Sequence, residues 1–213
     1  VAFAKEGVNI YNRKQIIDDA AQVLKDKILH LTPEQWRNLA PLAASAFAAK
    51  QLMVYFVNPA IQELAGNLNL DNRIRPAAGD YLYVVDANLG SLKTDPVMER
   101  QIAYRLTAGG KATGSITYAN RGQFDWKTTR YRTYTRLYVP LGSTFLNARG
   151  HESAIAIEDA HSKTVFGAFI SIEPGASETL TFTYKLPANL IQRIKNGEYS
   201  LLVQKQGGTM GHR

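Results

Sequence analysis

The chain contains no cysteine, which excludes disulfides, thiolate metal sites and a cysteine nucleophile. Such a composition suits export from a bacterium without oxidative folding machinery, and it is equally compatible with the cytosol. No apolar run approaches the ~18–20 residues needed to cross a bilayer, and no basic-then-apolar signal opens the sequence. The four histidines, His30, His151, His161 and His212, are scattered, and none pairs at metal-ligand spacing. No G-x-S-x-G elbow, P-loop or G-x-G-x-x-G is present. "TAGGKATG" has the wrong spacing for a phosphate loop and lies between two alternating segments, so it reads as a hairpin turn. No cofactor is expected. The chain opens on Val1 and stops at "GGTMGHR" without a terminal signature, which reads as a processed or excised piece with an anchor lying upstream.

Excess charge is also missing from the first half. Residues 1–97 carry ten Lys/Arg and ten Asp/Glu, whereas residues 98–213 carry fifteen against eight, so all of the net +7 lies in the second half. Two domains of different character, 1–97 and 98–213, are the simplest reading.

What is present falls into two periodicities. In "NRKQIIDDAAQVLKDKILHL" apolar residues recur at the 3.6 period of a one-sided helix, with Asn12 and Gln15 placed for a capping box. "TPEQW" restarts a helix with Thr32 as cap, Pro33 in the first turn and Gln35 as reciprocal partner. Trp36, Leu39, Ala40, Ala43 and Phe47 should form its buried stripe. "QLMVYFV" (51–57) and "DYLYVVDAN" (80–88) read as buried strands on either side of a short helix capped by Asn58, which is the grammar of a small α/β layer. From residue 99 the period changes to two. About seven short strands separated by "AGGK", "PLGS", "EPGAS" and "KNGE" predict an antiparallel β-sandwich, with one helical turn in 187–197. The expected fold class is α+β, a helical and small α/β segment followed by an immunoglobulin-like antiparallel sandwich.

Two stretches carry candidate chemistry. In "VVDANLGSLKTD" a buried strand ends in Asp86 and Asn88, then turns at glycine towards Lys93 and Asp95. Ligands bind beyond the carboxyl ends of strands in open α/β sheets, so these four form a candidate polar site. The competing reading is that they cap the turn and tie the layers together. In "DWKTTRYRTYTRLYVP" the cations Lys127, Arg130, Arg132 and Arg136 interleave with aromatic rings. As a strand, it places Arg130, Arg132, Tyr134, Arg136 and Tyr138 on one face and Tyr131, Thr133, Thr135, Leu137 and Val139 on the other. Leu137 and Val139 should enter the core, leaving the arginines in an outer row that needs a counter-surface. Acidic side chains of the same fold, other domains of the same protein, or an anionic polymer would serve. Cations interleaved with rings also suit single-stranded nucleic acid, but no RNA-recognition or cold-shock motif accompanies them, so no specific nucleic-acid partner is expected.

The order of "RKQIIDDAAQVLKDKILHLTPEQWRNLAPL", "KQLMVYFVNPAIQELA", "GDYLYVVDANLGSLKTDP", "YRTYTRLYVPLGS", "KTVFGAFISIEPG" and "YSLLVQKQGGT" resembles the C-terminal part of a bacterial family, domain-of-unknown-function family 4012. The "VVDANLG" and "LLVQKQ" blocks are the most specific parts. The resemblance implies an extracytoplasmic envelope protein with an N-terminal membrane anchor. It also implies a preceding α/β region distantly similar to polymer transferases of the LytR–CpsA–Psr type. The family has no assigned catalytic residues to carry over. The expected role is a non-catalytic interaction or scaffold module meeting anionic envelope polymers or phospholipid head groups. The alternative is a piece that completes a transferase active site with an upstream region, through Asp86, Asn88, Lys93 or Asp95.

Overall fold

Local sequence chemistry sets the helices. In the computed structural model, which describes residues 12–90 and 92–209 (side chains from residue 15), α1 spans Asn12–Leu29 and α2 spans Pro33–Ala48. The capping box at the start of α2 forms as expected. The Thr32 N–H donates to Gln35 Oε1 (2.8 Å), and the Gln35 N–H donates to Thr32 Oγ1 (3.3 Å). The Asn12 cap and His212 lie outside the described side chains. The buried stripe expected along α2 is absent, because no residue of that helix is buried and Trp36 is 46% exposed. Among the described residues that unit holds only α1 and α2, and a pair of helices encloses an apolar stripe poorly without a third layer. Among the described residues no helix is long and apolar enough to cross a membrane.

The chain divides into two compact units at residue 48 rather than at the expected 97. In the second unit, Asn58 caps α3 (Pro59–Asn67), its Oδ1 accepting from the N–H of Ala60 (3.0 Å) and Ile61 (3.3 Å). The strand expected over 51–57 does not form, and Tyr55 and Val57 are 79% and 89% exposed. A strand needs a neighbour. Both flanks of β1 (Asp80–Asn88), where an α/β layer would have paired it, are taken by strands from much later in the chain.

Among the described residues nine strands make two sheets. The five-stranded sheet runs β6-β7-β4-β1-β9, and the four-stranded sheet runs β2-β3-β8-β5. The strands are β2 Met98–Leu106, β3 Lys111–Asn120, β4 Tyr131–Pro140, β5 Thr144–Arg149, β6 Ala156–Ala160, β7 Lys163–Ile172, β8 Ser177–Lys185 and β9 Leu201–Gln204. A 3₁₀ turn (Asp95–Val97) precedes β2, and α4 (Ala188–Lys195) supplies the helical turn expected between β8 and β9. All pairings are antiparallel except β1 with β9. Alternation delivers one apolar face from each sheet, so Leu82, Val84, Leu137 and Phe166 meet Ile116, Leu180 and Phe182 in the main core. The protein is thus α+β with a sandwich, and β1 belongs to the sandwich instead of to an α/β layer. "TAGGK" is the β2–β3 hairpin turn, closed by Thr107 N–H to Lys111 O (2.9 Å).

Candidate functional site

The two-residue period of β1 positions its polar residues. Leu82 and Val84 face the core, so Asp80 continues the same register at one end of the strand and Asp86 and Asn88 at the other. Asp86 consequently points between the sheets. There it pairs with Arg100 of β2, each side chain 8% exposed. Its Oδ1 also accepts from Tyr118 Oη of β3 (2.6 Å) and Thr135 Oγ1 of β4 (2.9 Å). Gln206 completes the set by bonding both backbone groups of Asp86. The Asp86 N–H donates to Gln206 Oε1 (3.0 Å), and Gln206 Nε2 donates to the Asp86 carbonyl (2.9 Å). Burial, with Asp86's charge adding to it, holds the Tyr118 hydroxyl well above the ordinary tyrosine range, so it remains a proton donor. The cluster therefore rivets four strands and the C-terminal segment together, and the carboxylate is committed to groups of its own fold.

Asn88 and Asp95 form a second, separate set. Asn88 Nδ2 donates to Asp95 Oδ2 (2.7 Å) and to the Leu92 carbonyl (3.2 Å), while its Oδ1 accepts from Gly90 N–H (2.8 Å). Tyr131 Oη reaches Asp95 Oδ1 (3.3 Å). Lys93 joins neither set. Its side chain is exposed, and its backbone N–H is held by Lys127 O (3.0 Å). The four candidates thus do not converge on one point, and the geometry matches a capped turn beside an inter-sheet tie. Sequence reasoning missed Arg100, Tyr118, Thr135 and Gln206 as partners of Asp86. Arg100 had a legible signal, because it stands in the core-facing register of Met98, Ile102, Tyr104 and Leu106. A cation there requires a buried anion.

The other end of β1 holds Asp80, which accepts from Tyr104 Oη and from Tyr199 Oη (3.0 Å). Burial raises the Asp80 carboxyl above its ordinary range, an effect the tyrosine hydroxyls only partly offset.

The arginine row adopts the predicted faces. Tyr131, Thr133, Thr135, Leu137 and Val139 are buried, while Arg132, Tyr134 and Arg136 lie on the outer face. The register sets Tyr134 opposite Phe169 of β7, with the ring centroids 4.8 Å apart. Arg132 sits over Phe169 and Arg136 over Tyr134, each with Cζ 5.3 Å from the ring centroid. Cation and ring therefore follow one another as Arg132, Phe169, Tyr134, Arg136. Each such contact contributes about 0.5–1 kcal/mol at an exposed site and fixes the guanidinium in place. Among the described residues neither arginine of this ladder has a carboxylate within ion-pair distance. Arg130 differs, pairing with Glu173 in an exposed contact. Tyr138 also leaves the open row. It is buried with Tyr81, Tyr83 and Val165 in a second small core, against which Ile74 and Ala77 pack. No protein-family model and no curated protein matches this chain.

Proposed function

We propose that the chain is a non-catalytic interaction module of an extracytoplasmic bacterial envelope protein, and that it meets anionic surfaces through the outer face of β4. The reading is carried by one observation: Arg132 and Arg136 are seated on a ring pair and, among the described residues, have no ion-pair partner, so they are oriented and electrostatically available. Asp86, Asn88 and Asp95, by contrast, are occupied in holding the fold together. The family resemblance supports the envelope location.

Arginine suits phosphate because its planar fork donates two hydrogen bonds to one group. A flat sheet face offers no enclosing pocket, so binding is weak, non-specific and electrostatic. It should fade with salt, since the Debye length falls from ~10 Å at 0.1 M to ~3 Å at 1 M. The test is co-sedimentation with anionic vesicles or teichoic acid at low and high salt, comparing wild type with the Arg130→Ala/Arg132→Ala/Arg136→Ala variant. The reading expects strong pelleting of wild type at low salt only, and weak pelleting of the variant at both. Equal pelleting of the two proteins would sink it.

A further inference from the structure

The loop between β3 and β4 closes one end of the sandwich, and its shape is fixed from within. Asp125 Oδ1 accepts from the N–H groups of Lys127 (2.8 Å) and Thr128 (2.6 Å). Thr128 Oγ1, on a buried side chain, donates to Gln123 O (2.8 Å) and accepts from Gln123 N–H (3.2 Å). At the root of the loop the fully buried Asn120 donates to Thr129 O (3.0 Å) and Ile172 O (3.1 Å). From this frame project Phe124, 69% exposed, and Trp126, 78% exposed. Ordering a loop around two rings left in water is unfavourable for an isolated soluble surface, and clustered exposed apolar side chains mark interaction sites.

The neighbouring segment extends the same tip. The bond from Lys93 N–H to Lys127 O ties it alongside, and it adds the exposed Leu89 and Leu92. Cations surround these apolar groups. Lys93 and Lys127 are exposed, and Arg121 and Arg130 flank them in surface pairs with Glu99 and Glu173. Two acids lie within the tip and both are engaged by the fold, Asp125 by the backbone N–H groups of Lys127 and Thr128 and Asp95 by Asn88 Nδ2 and Tyr131 Oη.

We infer that this end of the sandwich docks on an anionic lipid bilayer, with Phe124 and Trp126 entering the interfacial layer and Lys93 and Lys127 meeting head-group phosphates. The inference rests on the anionic-surface reading above and narrows it to one partner. Lys93 and Lys127, exposed beside the rings while the arginines are paired, favour an anionic surface, and the rings select lipid over a soluble polyanion, which would engage the lysines and leave the rings wet. Indole and phenyl side chains flanked by lysines are the composition that partitions into a membrane interface. The tip is a projecting loop, and a bilayer receives a projection without needing a matching pocket.

The experiment uses the full chain carrying Trp36→Phe, which leaves Trp126 as the single indole. Phosphatidylcholine vesicles containing phosphatidylglycerol, pure phosphatidylcholine vesicles and soluble polyphosphate are compared. With the anionic vesicles alone, Trp126 emission should move to shorter wavelength and become protected from an aqueous quencher. Phe124→Ser/Trp126→Ser, checked for an unchanged melting temperature, should lose vesicle partitioning by about tenfold per ring and keep its polyphosphate binding. Arg132→Ala/Arg136→Ala should weaken both. If wild type pellets with anionic vesicles while Trp126 stays solvent-quenched, or if the serine variant partitions like wild type, insertion is overturned and the anionic-surface reading stands. If wild type binds neither vesicles nor polyphosphate, both fall.

Discussion

At the scale of single residues, the polar groups of β1 are framework, and their energetics follow from burial. Arg100 and Asp86 are each nearly enclosed, and removing one partner strands the other in a medium that penalises an unpaired charge. Arg100→Met should therefore lower stability by about 3–5 kcal/mol, while Asp86→Leu/Arg100→Met should recover most of that loss. Denaturant titration of the two variants checks it, and a double variant no better than the single would contradict it. Asp80 gives a pH signature. Its carboxyl is raised by burial, so the folded protein holds that proton more tightly than the unfolded chain. The stability it contributes is complete below the ordinary carboxylate pKa and is lost as pH rises through the raised folded value. Asp80→Asn cannot titrate. Its melting temperature relative to wild type should thus climb as pH goes from about 4 to 7, whereas a constant difference across that range would argue against the assignment. The residue types were readable in the sequence, but their partners were not, because Arg100, Tyr118 and Thr135 reach Asp86 from three other strands.

At the scale of elements, the alternating strands were legible because a two-residue period with one buried face is a strong local signal. "YTRLYVP" shows this, since Leu137 and Val139 are fully buried where the pattern placed them. "QLMVYFV" misled for the complementary reason. A short apolar run has strand composition whether or not a neighbour exists to pair it. The neighbours of β1 are instead β4 and, more than a hundred residues later, β9, the latter in a parallel register from Asp80↔Leu201 to Tyr83↔Gln204. No local pattern reports such a pairing. One turn tests how tightly the elements are set. Gly150, just past β5, has φ +76°, and an added Cβ would lie 2.0 Å from the Thr179 carbonyl oxygen of β8. Both backbone strain and a collision with main chain oppose a side chain there, so Gly150→Ala should cost at least about 2 kcal/mol. Thermal unfolding would show it, and an unchanged melting temperature would mean the β5–β8 end is looser than described.

At the scale of the whole molecule, the buried apolar side chains among the described residues run from Ala65 to Leu190, all within the second unit. Residues 49–213 expressed alone should therefore melt cooperatively, as a domain with its own core does. Loss of a cooperative transition on deleting residues 1–48 would contradict that. The charge asymmetry seen in the sequence has its counterpart here, because the basic second half supplies the arginine–ring ladder of the outer face. The interior polar cluster holds the sheets, and the outer face is left for the partner contact we propose. Asp86→Ala tests this division most directly, with its melting temperature and its pelleting with anionic vesicles measured side by side, the latter below the variant's own transition. The account predicts a large fall in melting temperature with vesicle binding retained. An unchanged melting temperature with binding lost would contradict it and place Asp86 in a working site.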